Sequence, residues 1–486
     1  MVSKATFSFY HALPYPLRCA IAGARGLWLS RWRYGPGADA QAEEFLTHDR
    51  WSDEQWRSWR EEAVARVLHR ARKSVPWYRE HWDARRRNGD MSSPELLENW
   101  PILEKDEVRR NPMAFLADDC DPKSMYQVRT SGTTGKPIEF YQSQATVQRQ
   151  YALTEARMKR WYGVSRHDRW AHLGGQLVAP VSQKDPPFWV RSFGLHKVYM
   201  SSVHLSVATA PAYHREIMRF RPAYLLGFSS ALHTLAEGML AANLPSPDLK
   251  VVISDSEPLL DYQREAIERA FTCPVVETYG QSEAVMMASQ CLHGRMHLWP
   301  ETGYLEVLAD GRPVPAGEVG DFIVTGLNNP DMPFIRYRVG DRGAVAPASG
   351  PCACGRNLPH LSTIVGRIDD IVVTADGRQI SRLDPAFRID APLIEAQVIQ
   401  ESFDLMRVRC VVGAGWLPEH EDALAERIRD RMGPVRVEFE KVDRIPRGPN
   451  NKFKFLTSKL TPEERARAIR CEPAAPVETA RNGEFA

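Results

Sequence analysis

The spacing of apolar positions changes character along the chain, and each change marks a different kind of structure. Residues 51–72 repeat at helical spacing through Trp56, Trp59, Ala63, Val67 and Ala71, and Ser52 with Gln55 three residues on forms a capping box at their start. Pro76 ends this helix within the run Ser74–Arg79, and Trp100–Lys105 reads as a connector. Two strand-like runs, Met125–Val128 and Ile138–Tyr141, flank a polar turn, and Ser143–Gly163 is helical in pattern. Short apolar runs then alternate with helices. Tyr224–Phe228 precedes a helix through Leu235 and Leu240, Val251–Ile253 precedes one over Asp261–Phe271, and Pro274–Val276 follows. This rhythm predicts parallel sheet with crossover helices, in which ligands gather at the carboxyl ends of strands. From Tyr304 the pattern becomes alternation, through Tyr304–Val307, Asp321–Thr325 and Pro333–Asp341, which predicts a β-rich part. A smaller α+β unit closes the pattern, with a helix over Leu424–Met432 and a strand over Val435–Phe439.

A chain of 486 residues exceeds one core. The expected divisions are a helical N-terminal extension packed on the main body over 1–110, a large domain over 111–367, a small domain over 368–465, and a disordered tail over 466–486. A net charge of +2 without a long basic block gives no reason to expect a nucleic-acid partner, and none is expected. Eight scattered cysteines do not form a disulfide scaffold, so a reduced, cytoplasmic compartment is expected. The apolar stretch Leu13–Leu29 is interrupted by Pro14, Pro16, Arg18, Gly23, Arg25 and Gly26, so no membrane span is expected. Trp28 and Trp32, with Arg31 and Arg33, suit a segment docked on the protein's own body better than one at a membrane surface.

The candidate chemistry lies in the turns. Thr130, Ser131, Gly132, Thr133, Thr134, Gly135 and Lys136 combine glycines that let backbone N–H groups approach an anion with hydroxyls and an ammonium that add donors. Only two residues separate the glycines and Pro137 follows the lysine, so this is not a Walker A loop. Ser256, Glu257 and Pro258 follow the second strand-like run, and Thr278–Glu283 follows the third. In that second turn Tyr279 offers a flat face to a base, Gly280 a close backbone approach, Ser282 a hydroxyl and Glu283 a hard oxygen ligand for Mg²⁺. Asp341, in a Gly-Asp turn after a strand, can accept from the vicinal hydroxyls of a ribose. Arg367, Asp369 and Asp370 crowd a short boundary turn, and Lys452 sits in a turn-rich loop, where a lone lysine is ordinarily just solvated. Cys291-x₅-His297 and Cys352-x-Cys354 could close a tetrahedral Zn²⁺ site, with His293 as a competing ligand. Reduced, unliganded cysteines in loops are the alternative.

Taken in this order, the motifs resemble those of the adenylate-forming superfamily of acyl-CoA synthetases, peptide-synthetase adenylation domains and luciferases. Within it the chain looks most like the phenylacetate–CoA ligase and coenzyme F390 synthetase branch, with its CapK-type proteins. Thr130–Pro137 resembles the phosphate loop, Tyr279–Glu283 the Tyr-Gly-x-Thr-Glu motif with serine for threonine, and Tyr337–Asp341 the ribose motif. Gly366–Asp370 resembles the hinge, Lys452 the C-terminal catalytic lysine, and Ser74–Arg79 the Val-Pro-x-Tyr-Arg stretch of CapK-like proteins. Asn451 departs from the glycine common before that lysine.

The resemblance implies an α/β fold: a large N-terminal domain with parallel βαβ sheets and a β-rich subdomain, plus a small mobile α+β domain turning about Asp369. It implies ATP-dependent activation of a small carboxylic acid and transfer to CoA, or alternatively to an amine; a non-catalytic scaffold of the same fold is less favoured. The phosphate loop would hold the β- and γ-phosphates, Glu283 Mg²⁺, Tyr279 the adenine, and Asp341 with Arg367 the ribose. Ser256–Pro258 would form the adenine-side turn and Lys452 would neutralise charge in the transition state. The acyl group would lie near Gly174, Gly175, Gly227, Phe228 and Ser229. Cys352–Arg356 resembles a Cys-x-Cys-Gly-Arg segment where some members of the branch bind zinc, which favours the metal over free thiols.

Overall fold

The computed structural model describes residues 9–129, 138–176, 178–180, 182–348, 350–367, 372–375, 379–380, 383–387, 389, 391–447 and 453–469. It divides into two compact units: Met1–Ile364 with Arg447–Phe453, and Val365–Pro446 with Lys454–Ala486.

The large unit opens with α1 (Tyr15–Arg33), α2 (Ala38–His48), α3 (Asp53–Ser74) and α4 (Pro76–Arg87). The capping box starts α3: Gln55 N–H donates to Ser52 Oγ at 3.2 Å, and Ser52 N–H donates to Gln55 Oε1 at 2.9 Å. Trp56, Ala63, Val67 and Ala71 are buried as their spacing requires. Pro76 ends α3 but also begins α4, because its fixed φ and missing N–H suit the first position of a helix. Tyr78 and Trp82 of α4 meet Trp100 edge-on at 5.3 and 5.4 Å, within one buried cluster that includes Phe115 and Tyr337.

Further along come α5 (Lys105–Arg110), the hairpin β1 (Tyr126–Arg129) and β2 (Glu139–Gln142), and α6 (Gln144–Met158). The main sheet then begins with β3 (Trp170–Gly174), β4 (Trp189–Ser192), β5 (Lys197–Ser201), β6 (Tyr224–Phe228), β7 (Val251–Asp255) and β8 (Val275–Gly280). Helices α7 (Ala210–Phe220), α8 (Ser229–Ala241) and α9 (Asp261–Phe271) cross between β5 and β6, β6 and β7, and β7 and β8. Strands β5-β3-β6-β7-β8 are parallel in that order, with β4 antiparallel at the edge. Both faces of this half are covered. Leu225 and Val252 pack on the crossover helices, while Tyr224, Val251, Ile253 and Val276 pack with Trp56, Trp161 and Tyr162.

The sheet continues into an antiparallel half: β9 (Met287–Gln290), β10 (Met296–Leu298), β11 (Gly303–Ala309), β12 (Arg312–Pro313), β13 (Gly320–Gly326), β14 (Tyr337–Val345) and β15 (His360–Arg367). Its order outward from β8 is β9-β10-β15-β14-β13-β11-β12. Two features differ from the sequence expectation. Strand β8 runs on through Thr278, Tyr279 and Gly280, because after pairing with β7 it pairs antiparallel with β9 (Tyr279↔Ala288, Gly280↔Met287). Asp341 lies inside β14 rather than in a turn after a strand. The β13–β14 register jumps from Asp321↔Arg342 to Ile323↔Arg338, a bulge in which Gly340 takes φ +83°.

The small unit has a hairpin of β16 (Val372–Val373) and β17 (Gln379–Ile380) and a sheet of β18 (Leu393–Gln400), β19 (Leu405–Val412), β20 (Arg436–Lys441) and β21 (Leu456–Ser458) in the order β20-β19-β18-β21. Helix α10 (Pro418–Met432) buries Leu424 and Ile428 in the same core as Val398, Met406 and Val408, and α11 (Pro462–Ile469) follows β21. Among the described residues no helix is long and apolar enough to cross a membrane.

Candidate active site

The end of β8 and the bulge of β14 bring two predicted motifs together. The Tyr279 hydroxyl donates to Asp341 Oδ2 at 2.7 Å and itself accepts from Gln281 Nε2 at 2.9 Å. Beside this pair, the Tyr337 hydroxyl donates to the buried Glu283 Oε1 at 2.8 Å. Each carboxylate is therefore held by a neutral phenol, which orients it without cancelling its charge. The bulge matters here because it turns Asp341 onto this cluster from the middle of a continuous strand.

Residues to which the sequence assigned no contact set the position of β14. The Tyr78 hydroxyl donates to the Pro333 carbonyl at 3.2 Å and accepts from the Ile335 N–H at 3.0 Å. The Ser74–Arg79 segment thus pins the chain that leads into Tyr337. Leu103 bridges β14 through Leu103 N–H to Arg336 O at 2.9 Å and Arg338 N–H to Leu103 O at 3.0 Å. That contact carries Lys105 to the bulge: its ammonium lies 5.8 Å from the centre of the Tyr337 ring. Nothing in the local sequence of Trp100–Lys105 signals either contact.

The turn after β7 is strained. Ser256 has φ +65° and is spanned by Glu257 N–H to Asp255 O at 2.8 Å, a γ-turn geometry that a serine adopts at a cost. It aims Glu257 inward, where Oε2 accepts from Ser230 N–H at 3.0 Å and Oε1 from Phe453 N–H at 2.5 Å. Burial pushes the Glu257 carboxyl above the usual range, against these backbone donors. Phe453, the residue after Lys452 in sequence, is thus held by the Ser256–Pro258 turn within the large unit.

Strands β3 and β6 are neighbours although β5 lies between them in sequence, which makes their carboxyl ends a switch point. Gly227 allows the close approach there, since a Cβ on it would stand 2.6 Å from the Leu173 carbonyl oxygen. Ser229 Oγ is 2.6 Å from Ser254 Oγ and donates to the Glu257 carbonyl at 3.0 Å, tying Gly227–Ser229 to the Ser256–Pro258 turn. Beneath Gly174, a Cβ would meet His172 Nε2 at 3.1 Å. Further down the same face Lys197 is buried, its ammonium 4.0 Å from the Trp170 ring centre and 3.9 Å from that of Tyr199. Burial first, and the charge of Arg33 second, holds Lys197 well below the ordinary lysine range. Polar residues at alternate positions of strands otherwise built for two-sided burial were the available signal for His172 and Lys197.

The four predicted metal ligands converge in the large unit. Cys291 directly follows β9, His297 lies in β10, and Cys352 and Cys354 lie in the β14–β15 connection; all four ligand atoms are within 4.8 Å of one another. Cys291 Sγ is 3.8 Å from Cys352 Sγ, and His297 Nε2 is 3.5 Å from Cys354 Sγ. A tetrahedral centre with sulfur at about 2.3 Å and nitrogen at about 2.0–2.1 Å requires edges of about 3.8 and 3.6 Å, whereas a disulfide needs about 2.05 Å. The donor set fits a tetrahedral ion. The His297 Nδ1–H donates to the Leu358 carbonyl at 3.3 Å, which leaves the Nε2 lone pair facing the thiols. Burial holds this imidazole down at about 4, so it is neutral near pH 7. Among the described residues, His293 is not part of the group.

Thr130, Ser131, Gly132, Thr133, Thr134, Gly135, Lys136, Asp369 and Lys452, and the side chain of Arg367, lie outside the described residues.

The profile of the AMP-binding enzyme family matches residues 55–329, more than half of the chain. The chain belongs to this family of adenylate-forming enzymes, in the phenylacetate–CoA ligase and CapK-like branch. Residues 372–459 match the CapK C-terminal domain. Protein CapK of Staphylococcus aureus is 24% identical over 402 residues, which cover 80% of this chain and 86% of CapK. The phenylacetate-coenzyme A ligase of Escherichia coli K12 is 25% identical over 317 residues, 63% of this chain and 70% of that enzyme. The fold is that of 2-hydroxyisobutyryl-CoA ligase in its postadenylation state with 2-HIB-AMP, matched at a TM-score of 0.66 with 19% identity over 87% of this chain and 92% of that one.

Proposed function

We propose that this chain activates a small carboxylic acid with ATP and passes the acyl group to CoA. In the first step a carboxylate oxygen attacks the α-phosphorus, the bond to the bridging oxygen breaks, and pyrophosphate leaves, giving an acyl-adenylate. In the second a thiol attacks the carbonyl carbon, loses its proton, and AMP departs. The observation that carries the reading is the pairing of Tyr279 with Asp341 and of Tyr337 with Glu283 at the carboxyl end of a parallel sheet.

Asp341, with Arg367, accepts and donates at the ribose hydroxyls, and the Tyr279 ring forms the adenine side with Ser256, Glu257, Pro258 and Gly280. Glu283, with Ser282 beside it, holds Mg²⁺, which when bound supplies charge neutralisation at the phosphates. Thr130–Lys136 cradles the β- and γ-phosphates. Lys452 neutralises charge on the carboxylate and α-phosphate in the transition state; the anchoring of neighbouring Phe453 on Glu257 supports that role. The small domain turns about Asp369 between the two steps. Gly174, Gly175, Gly227, Phe228 and Ser229 line the acyl group. Cys291, His297, Cys352 and Cys354 hold a structural Zn²⁺, supported by the tetrahedral edge lengths.

Pyrophosphate release is to be measured across aryl and aliphatic acids, with products resolved by mass spectrometry in the presence of CoA or of amines. Acid-dependent release with a CoA thioester is expected. An amide in place of the thioester would move the acceptor to an amine, and no release with any acid would favour a scaffold of this fold. Lys452→Ala should abolish adenylation yet spare transfer from a supplied acyl-adenylate; equal loss of both steps would sink the assignment of Lys452.

A further inference from the structure

Helix α1 is built inside out. Its inward face carries Gly23 and Gly26, which let it lie directly on the segment after β4: a Cβ on Gly23 would stand 1.9 Å from the Phe193 ring, and one on Gly26 2.2 Å from Ser192 Oγ. The same contact is sealed from the other side, where a Cβ on Gly194 would meet Leu27 N at 2.2 Å. Its outward face carries Leu17, Ile21, Ala24 and Trp28 at i, i+4, i+7 and i+11, with Ala20 and Leu27 alongside. Leu17, Ile21, Leu27 and Trp28 are 44–58% exposed, and Phe193, flush beside the Gly23 notch, is 61% exposed. A helix on a water-facing surface ordinarily turns its apolar stripe inward. Here the apolar stripe points out, and a contiguous patch of this kind marks a docking surface.

The charge around the stripe identifies the partner. The first 38 residues contain Lys4, Arg18, Arg25, Arg31 and Arg33 and no acidic residue, so the remainder of a chain of net charge +2 is negative. Arg25 and Arg31 are exposed at the borders of the stripe. A second copy fits poorly. Residues 17–31 span only about 21 Å of helix, too little to bury the roughly 800 Å² per partner of a stable interface. Isologous pairing would also set these arginines against one another. A plane that accepts leucine, isoleucine and tryptophan while presenting negative charge to arginine is an anionic lipid surface.

We propose that α1 docks this protein on anionic lipid bilayers through Leu17, Ile21, Trp28 and Phe193, with Arg25 and Arg31 at the headgroups. None of these residues belongs to the proposed adenylation site, so the inference stands apart from it. The test is flotation of the full chain with vesicles of phosphatidylcholine containing phosphatidylglycerol, against vesicles of phosphatidylcholine alone. Flotation with the anionic vesicles is expected, weakened by salt. The triple variant Leu17→Gln/Ile21→Gln/Trp28→Gln should reduce it about tenfold or more, and Arg25→Gln/Arg31→Gln should remove its dependence on lipid charge. Both variants should keep the wild-type thermal transition. Wild-type protein that does not float, that floats equally on both vesicles, or that floats as well after the triple substitution would overturn the proposal. So would a dimer in analytical ultracentrifugation that the triple variant abolishes.

Discussion

Glu283 and Glu301 are buried glutamates of the same unit, finished in opposite ways. Glu301 is wholly enclosed and accepts from the Arg157 guanidinium and from His48 Nδ1 at 3.0 Å. Arg157 also donates through Nε to Asp49 at 2.9 Å, and Asp49 accepts from Trp161 Nε1 at 2.7 Å. Burial works against the Glu301 charge, yet Arg157 and His48 hold its carboxyl down at about 2. That network is closed, and it fastens α6 to α2 and to the chain before β11. Glu283 has, among the described residues, a hydrogen bond from the neutral Tyr337 hydroxyl. On the proposed reading, Mg²⁺ supplies the counter-charge that this phenol does not. Closed networks hold architecture; a phenol orients a carboxylate without adding a counter-charge.

The largest effects should separate these two glutamates. Glu283→Gln is expected to cut pyrophosphate release about a thousandfold or more while leaving the melting transition in place. Arg157→Met should do the reverse, costing about 3–5 kcal/mol of stability by stranding Asp49 and Glu301, with turnover per folded molecule retained. A Glu283→Gln protein that melts low and still turns over would break the contrast.

Metal comes next in size. Zinc analysis of protein purified without chelator should find one ion per chain, and Cys354→Ser should lose it together with several kcal/mol of stability. Absence of stoichiometric zinc would return the four ligands to ordinary packing.

Acid should then act in two windows. Burial, with the charges of Arg447 and Arg269, holds the His233 imidazole down at about 4, below its unfolded value. The folded state therefore binds fewer protons at this site, and its stability contribution, present above pH 6.5, is lost as pH falls toward 4. His233→Gln should flatten that window, worth up to about 3 kcal/mol. The Glu301 contribution, present above its unfolded value near 4.5, is lost only as pH falls on toward 2. A denaturation profile of His233→Gln that coincides with that of the wild type between pH 6.5 and 4 would contradict the assignment. The smallest change is Tyr279→Phe, which removes one hydrogen bond from Asp341 and should raise the KM for ATP about fivefold, with kcat little altered.

Local chemistry was legible in the sequence where short-range rules decide it. The capping box of α3, the helix Asp261–Phe271 and the βαβ rhythm all follow from neighbours within a few residues. Motifs also located Tyr279, Glu283 and Asp341 before any contact between them could be known. What escaped depends on partners distant in sequence. The run Pro274–Val276 is too short to announce that β8 continues to Gly280, because the continuation is set by β9. Gly340-Asp341 has the composition of a turn, and only the register against β13 makes it a bulge. Tyr78 appeared as part of a family segment, but its work, holding Pro333 and Ile335, spans more than 250 residues.

Strand β8 has a further consequence, for the order in which the protein is made. Its first half completes the parallel array, while Thr278–Gly280 await Met287–Ser289. During synthesis the parallel half can form as soon as β8 emerges, leaving a short unpaired edge until β9 follows. Tyr279 sits on that edge. Once β9 docks, neither half can open without unzipping a strand that belongs to the other, so amide exchange at Val276 and Tyr279 should report one cooperative event.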